Sequence, residues 1–172
     1  MGRARRAGQM MSLLFVDVDH FKAINDTYGH NVGDAALRAV ARELQDALRP
    51  YDLCVRYAGD EFIVVLSDCS REAADLKRHE LQARLCKLEL EVRPGRVTRL
   101  AVSAGVAVFP HDGATYEALL ADADQRMYRD KAARRGHLSV RTPAHPAEFA
   151  DTEVFEPTSP EHPELPLPQT LA

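Results

Sequence analysis

Two pairs of acids stand where a globular chain rarely places them. The stretch VRYAGDEFIVVL, residues 55–66, sets apolar runs on either side of a small-residue turn that leads into Asp60 and Glu61. Asp17 and Asp19 interrupt the end of another apolar run, SLLFVDVD at 12–19. An unpaired carboxylate is costly to bury, and two carboxylates brought close repel unless a cation lies between them. A hard divalent cation with oxygen ligands answers that repulsion, and Mg²⁺ (or Mn²⁺ in its place) suits a site where phosphates complete the ligand set. The chemistry would be phosphoryl or nucleotidyl transfer, in which the cation neutralises charge and aligns an attacking hydroxyl. By themselves Asp60 and Glu61 would be ordinary turn residues, since Asp readily follows Gly in a hairpin. Asp17 and Asp19, at the core end of a strand, are what point to a site.

The elements that must position these acids follow from periodicity. SLLFVDVD is a buried strand. FKAINDTYGHNVGD, 21–34, reads as a short helical turn and a Gly-punctuated loop. Asp34 is placed to cap the next helix, with Leu37, Val40, Ala41, Leu44 and Leu48 as its apolar stripe. DLCVRY and EFIVVL form a hairpin. Ser70–Leu88 is a second helix with Ala73, Leu76, Leu81 and Leu85. TRLAVSAGVAVF, 98–109, is one long strand. Tyr116–Arg134 is a third helix with Leu119, Leu120, Ala123, Met127 and Tyr128 on one side, and HLSV closes as a short edge strand. The order β-α-β-β-α-β-α predicts an α/β (α+β) domain with a ferredoxin-like, split-βαβ sheet. In such a sheet the first strand neighbours the hairpin, which would bring Asp17 and Asp60 to one sheet edge.

Composition narrows the function classes. With 172 residues, 45% of them hydrophobic, the chain suffices for one ordinary domain. No apolar run approaches bilayer length. The basic start (Arg3, Arg5, Arg6) precedes an apolar stretch holding acids, so it is not a signal peptide. Three cysteines without metal-ligand spacing predict free thiols and a cytoplasmic location. Seven of ten prolines lie after position 140, together with six acids and one arginine, Arg141. Residues 142–172 therefore read as a disordered Pro-rich acidic tail, and 1–141 as the folded domain. The domain alone is near neutral, with no broad basic face for nucleic acid.

FVDVDHFKAINDTYGHNVGDAAL, RYAGDEFIVVL, VSAGVAV and ADQRMYRDKAARRG occur in the order and spacing of GGDEF domains, the family that contains the diguanylate cyclases. The resemblance covers roughly residues 3–141. It implies a palm-like sheet related to nucleotidyl cyclases and polymerases. The implied activity is condensation of two GTP into cyclic di-GMP with release of two pyrophosphates, in a transient head-to-head homodimer with one GTP per subunit. By position, Asp17 resembles the strand-end metal ligand, the Val18 carbonyl a second ligand, Asp60 the signature ligand, and Glu61 a metal-linked or base-like carboxylate. Asn25 and Asp34 resemble the guanine readers; an amide and a carboxylate match guanine's edge. Phe21 and Lys22 match the loop whose backbone amides cradle phosphate. Gly59 matches the point of close approach to nucleotide, and Lys131 and Arg135 the basic pair on the leaving phosphates. His30 resembles the family's loop histidine, in a structural role. Arg49-Pro50-Tyr51-Asp52 matches the RxxD inhibitory site for the product, with Arg78 or Arg84 as its second arginine.

The chain departs from the family pattern at three places. Ala58 replaces the first signature glycine, Arg134 replaces a glycine after the lysine, and the usual DxLTGLxNRRxF segment is missing, with RARRAG resembling the end of the helix that follows it. Two readings follow: an active diguanylate cyclase, or an inactive GGDEF module that binds cyclic di-GMP or GTP as a regulatory receptor.

Overall fold

β1 (Met11–Val18) is buried at every position after the first because it is an inner strand of the sheet. The computed structural model describes residues 10–140, with side chains through Arg134. The RARRAG segment and the acidic tail expected from the sequence lie outside the described residues. After β1 come α1 (Phe21–Tyr28), α2 (His30–Asp46), the hairpin β2 (Leu53–Ala58) and β3 (Glu61–Ser67), and α3 (Arg71–Leu85). A small hairpin, β4 (Glu89–Arg93) and β5 (Arg96–Arg99), precedes β6 (Val102–Phe109) and α4 (Tyr116–Val140). The main sheet runs β2-β3-β1-β6 with every neighbouring pair antiparallel. This is the ferredoxin-like arrangement expected from the element order.

The period of two along β1 divides its side chains between two cores. Leu14, Val16 and Val18 join Phe62, Val64 and Leu66 under α2 and α3, which contribute Leu37, Val40, Leu44, Leu81 and Leu85. Leu13, Phe15 and Ile63 face α4, which contributes Leu119, Ala123 and Met127. On the far strand, Leu53, Val55 and Tyr57 stay exposed. No helix among the described residues is long and apolar enough to cross a membrane.

β6 is an edge strand, yet its outward backbone groups find partners. Gln82 Nε2 donates to the Val102 carbonyl at 3.4 Å and Arg126 Nη1 to the Val106 carbonyl at 2.7 Å. Asp130 accepts from the Ala104 amide at 3.1 Å, and Asp112 from the Val108 amide at 2.7 Å. Side chains thus stand in for a neighbouring strand and close the edge to pairing with another chain. Asp112 also accepts from Arg126 and Arg71. Burial alone would raise its carboxyl, but the Arg126, Val108 and Arg71 hydrogen bonds outweigh that and hold it below the usual aspartate range.

Several expectations are corrected. α2 begins at His30, four residues before Asp34, so Asp34 caps nothing; Gly29 occupies the N-cap with no side-chain bond. α2 ends at Asp46, leaving Leu48 beyond it. The 98–109 strand breaks at Leu100–Ala101, because β5 pairs with β4 while β6 pairs with β1. On α3 the buried face is Ala74, Leu81, Gln82 and Leu85, and Ala73 and Leu76 point outward. Tyr128 is likewise exposed. HLSV continues α4 instead of forming a strand; β6's edge is already occupied by side chains.

Gly105 sets how closely α4 lies on β6. A methyl group there would sit 2.1 Å from the Ala123 carbonyl oxygen and 2.2 Å from the Met127 nitrogen, both backbone atoms. Gly105→Ala is expected to destabilise the domain by about 1–3 kcal/mol by forcing the helix outward. Denaturant melts should show a lower midpoint with little change in slope.

Candidate active site

β1 ends at the same level as the β2–β3 turn because of its register. Asp17 lies directly opposite Glu61 on one side and Ser103 on the other. The Val18 amide donates to the Asp60 carbonyl at 3.1 Å, tying the strand end to the signature turn. Asp60 therefore meets the end of β1 through its backbone bond to Val18, and the residue opposite Asp17 is Glu61. Facing residues of an antiparallel pair project to the same side, where like charges destabilise. Lys131, on α4, reaches across and pairs with Asp17. Asp19 is occupied otherwise, accepting from Ser103 Oγ at 2.8 Å.

Electrostatics at this corner follow from the crowding of acids. Partial burial pushes the Glu61 carboxyl above the usual glutamate range. The carboxylates of Asp17, Asp60 and Asp124 push the same way, and the Lys131 ammonium opposes them. Among the described residues, no three His, Cys, Asp or Glu side chains gather closely enough to hold a metal ion. Opposed hard-oxygen donors whose repulsion a cation would relieve fit Mg²⁺ of the kind that takes its remaining ligands from a substrate's phosphates. They do not fit an all-protein cage.

The turn itself is set by Gly59, at φ +48° in the left-handed region. Arg56 Nε donates to the Gly59 carbonyl at 2.8 Å and braces it. Ala58 is not among the residues with positive φ, so its side chain imposes no backbone strain. Phe21 and Lys22 form the first turn of α1, rather than a loop. The first helical amides have no intrahelical acceptor, so donors remain available there.

Asn25 packs against Gly33 across the α1–α2 junction. A methyl group at Gly33 would lie 1.9 Å from Asn25 Oδ1, so only glycine admits this placement. Asp34 opens onto a groove of about 400 Å³ lined by Leu37, Arg38, Cys54, Arg56 and Phe62. His30 is the exposed first residue of α2. Arg135 lies on α4, but its side chain is outside the described residues.

The RxxD segment forms a second pocket, about 300 Å³, lined by Arg49, Asp52, Cys69, Leu76, Lys77 and Glu80 among others. Both Asp52 oxygens already accept amides, Oδ1 from Ser67 and Oδ2 from Arg49, each at 3.1 Å. The Arg49 guanidinium lies 6.0 Å from the Tyr51 ring centre. Neither arginine expected to assist lines this pocket. Arg78 bonds Gln82 and pairs with Asp75, while Arg84 bonds Glu43. Successive helical residues point about 100° apart, and on α3 that leaves Lys77 facing the pocket. Gly33, Arg56 and Lys77 stand beside the candidate site residues, and sequence reasoning passed over them. The second glycine of GHNVGD was a usable signal for a close helix–helix contact; nothing marked Lys77.

The family model for the GGDEF domain, described as diguanylate cyclase, matches residues 1–137. Diguanylate cyclase DosC of Escherichia coli (strain K12) is 40% identical over 140 residues, covering 81% of this chain and 30% of DosC. The response regulator PleD of Caulobacter vibrioides is 37% identical over 134 residues, covering 77% of this chain and 30% of PleD. The chain thus spans about 30% of the length of these curated relatives. Among solved structures, a sensory box/GGDEF family protein from Caulobacter crescentus superposes with a TM-score of 0.70 at 36% identity, covering 77% of this chain and 85% of that one. The GGDEF domain of DgcB from Caulobacter crescentus, solved in complex with c-di-GMP, has a TM-score of 0.71 at 28% identity and 78% coverage of each chain. The sheet is thereby of the palm-like nucleotidyl cyclase type.

The crowding at Glu61 makes a pH-dependent expectation. A raised folded-state pKa means the folded protein binds the proton more tightly than the unfolded chain, so stability falls as pH rises through and above the ordinary glutamate value. Without divalent cation, Glu61→Gln should melt at a higher temperature than the parent at pH 7. The difference should shrink towards pH 4. An equal difference at both pH values would contradict the assigned repulsion.

Proposed function

Because the chain belongs to the GGDEF domain family, we propose that it is a diguanylate cyclase, condensing two GTP into cyclic di-GMP and two pyrophosphates. The observation that carries this reading is the meeting of Asp17, Glu61 and Lys131 at the end of β1, beside the Gly59–Asp60 turn. Opposed carboxylates and a lysine at one strand end suit a phosphate-bearing substrate better than a structural role, since repulsion between acids is otherwise unfavourable.

In this reading each subunit of a homodimer holds one GTP, and the 3′-hydroxyl of each attacks the α-phosphate of the other. Asn25 and Asp34 bond the guanine edge, with Gly33 leaving room for the Asn25 amide. The free amides at the start of α1, at Phe21 and Lys22, receive phosphate oxygens. Lys131, with Arg135 on the same helix, neutralises the departing pyrophosphate. Glu61 accepts the proton of the 3′-hydroxyl at a carboxylate oxygen. GGDEF cyclases generally use a divalent metal, and Asp17, the Val18 carbonyl, Asp60 and Glu61 would hold it here. When bound it supplies charge neutralisation at the phosphates and lowers the pKa of the attacking hydroxyl. Gly59 keeps the turn low enough for the nucleotide to lie across it.

The pocket at Arg49 and Asp52 binds the product and limits turnover. Asp52's oxygens already hold the Ser67 and Arg49 amides, so its first task is to shape the Arg49–Asp52 turn. Arg49 and Lys77 supply the cationic contacts to the product's phosphates.

The purified chain with GTP and Mg²⁺ should form cyclic di-GMP, detected chromatographically, with a steeper-than-linear dependence on protein concentration. Asp60→Ala should lower product formation by about 100-fold or more while leaving the melt cooperative. Full activity in that variant would remove Asp60 from the site. A folded chain that turns over no GTP yet binds cyclic di-GMP would make the domain a regulatory receptor instead.

For the product pocket, Arg49→Ala should weaken cyclic di-GMP binding by about 10-fold or more, the loss of one charge-assisted hydrogen bond. Calorimetric titration measures this directly. Unchanged affinity would place the inhibitory site elsewhere.

A further inference from the structure

We infer that Asp130, held by Gln82, is a positioning residue for Lys131. Asp130 Oδ2 collects three donors from three elements: Gln82 Nε2 on α3 at 2.7 Å, the Ala104 amide on β6 at 3.1 Å, and Arg134 Nε on α4 at 3.1 Å. Gln82 is only 4% exposed. Its amide also donates to the Val102 carbonyl at 3.4 Å, and its Oε1 accepts from Arg78 at 3.0 Å. A buried polar group costs free energy unless bonded, and this one is bonded on both sides. The cluster therefore has one low-energy arrangement and resists sliding of α4 along β6.

The consequence for the active site comes from helix geometry. Neighbouring residues on a helix project about 100° apart. Asp130 points at the β6 edge and α3, and Lys131 points across β6 to Asp17 on β1. Two constraints then place the lysine. Gly105 sets the distance between α4 and the sheet, since backbone atoms of α4 would lie about 2 Å from a methyl group there. Asp130 extends to the Lys131 turn the anchoring of α4 on β6 that Arg126 begins one turn earlier. With Asp130 released, α4 keeps its apolar seat on Leu13, Phe15 and Ala107 and its Arg126 bonds to Val106 and Asp112, but the turn that carries Lys131 loses its own hold on β6 and α3. A lysine has four rotatable bonds, and its contact with phosphate weakens as its backbone wanders.

This inference rests on the reading that Lys131 contacts the phosphates lost as pyrophosphate. The test uses the full chain with two ligands, the α,β-methylene analogue of GTP and GMP, which lacks the β- and γ-phosphates. The variants are Asp130→Ala, Lys131→Ala and the two combined. A positioning role predicts that D130A weakens the GTP analogue by about five- to tenfold and leaves GMP within about twofold. In the K131A background, D130A should then cost less than about twofold more, because residues acting through one contact are not additive. Asp130→Asn, which keeps an acceptor oxygen for Gln82 and Ala104, should restore most of the affinity. Gln82→Met, close in size but without the amide, should shift the GTP analogue in the same direction as D130A and serves if D130A fails to fold. Equal weakening of both ligands by D130A or Q82M, or full additivity with K131A, would overturn the inference by making the cluster a purely structural edge cap. If K131A itself treats the two ligands alike, the phosphate role of Lys131 fails first and the inference with it.

Discussion

The pairing of β1 between β3 and β6 carries the rest of the structure with it. A strand buried on both faces and bonded on both sides has no freedom to slip, because a one-residue shift would turn Leu14, Val16 and Val18 out of one core and Leu13 and Phe15 out of the other. That rigidity is transmitted to the strand's last residues. Asp17 is opposite Glu61 and Ser103 because Leu13 is opposite Val65 and Ala107. The acids that repel one another are thus held together by apolar packing several residues away.

The corner has the energetic character of a site that works with a charged ligand. Burial and neighbouring carboxylates both raise the Glu61 carboxyl, and a single lysine opposes them. Lys131 pairs with Asp17, so under the proposed function binding of a phosphate-bearing substrate would exchange partners, the lysine turning to phosphate and the carboxylate to a cation. An ion pair largely shielded from water holds the corner in shape, and removing either partner would leave the other charge uncompensated. The far side of the same helix meets a different demand. There Asp130, Arg126 and the neighbouring Asp112 loop close the β6 edge, which both prevents strand addition and docks the helix that carries Lys131.

The two nucleotide pockets proposed for this domain are built from different elements around the β2–β3 hairpin. The Asp34 groove uses α2 with Arg56 and Phe62, and the Arg49 pocket uses the β3 end with α3. α3 also bears Gln82, on the side opposite its pocket-lining residues. One helix therefore touches the Arg49 pocket with Lys77 and Glu80 and the helix of Lys131 with Gln82.

Much of this was legible in the residues. Alternating and 3.6-residue periods located β1, the β2–β3 hairpin and three helices, because burial of an apolar face imposes those periods on any chain. Acids at strand ends and a Gly-bearing turn marked the corner before any geometry was known. Other features were not legible, since they depend on contacts between segments distant in sequence. The break at Leu100 and Ala101 follows from β5 and β6 choosing different partners. Asp34 looked like a cap because its local pattern suits one, and α2 begins earlier because α1 packs on it at Gly33. Arg78 and Lys77 are adjacent, and only the seating of α3 decides which faces the Arg49 pocket. The sequence by itself determined the residue types, their order and the faces they must bury. Tertiary structure alone decided that Glu61, and not Asp60, stands opposite Asp17, because register is a property of paired strands and no single strand carries it.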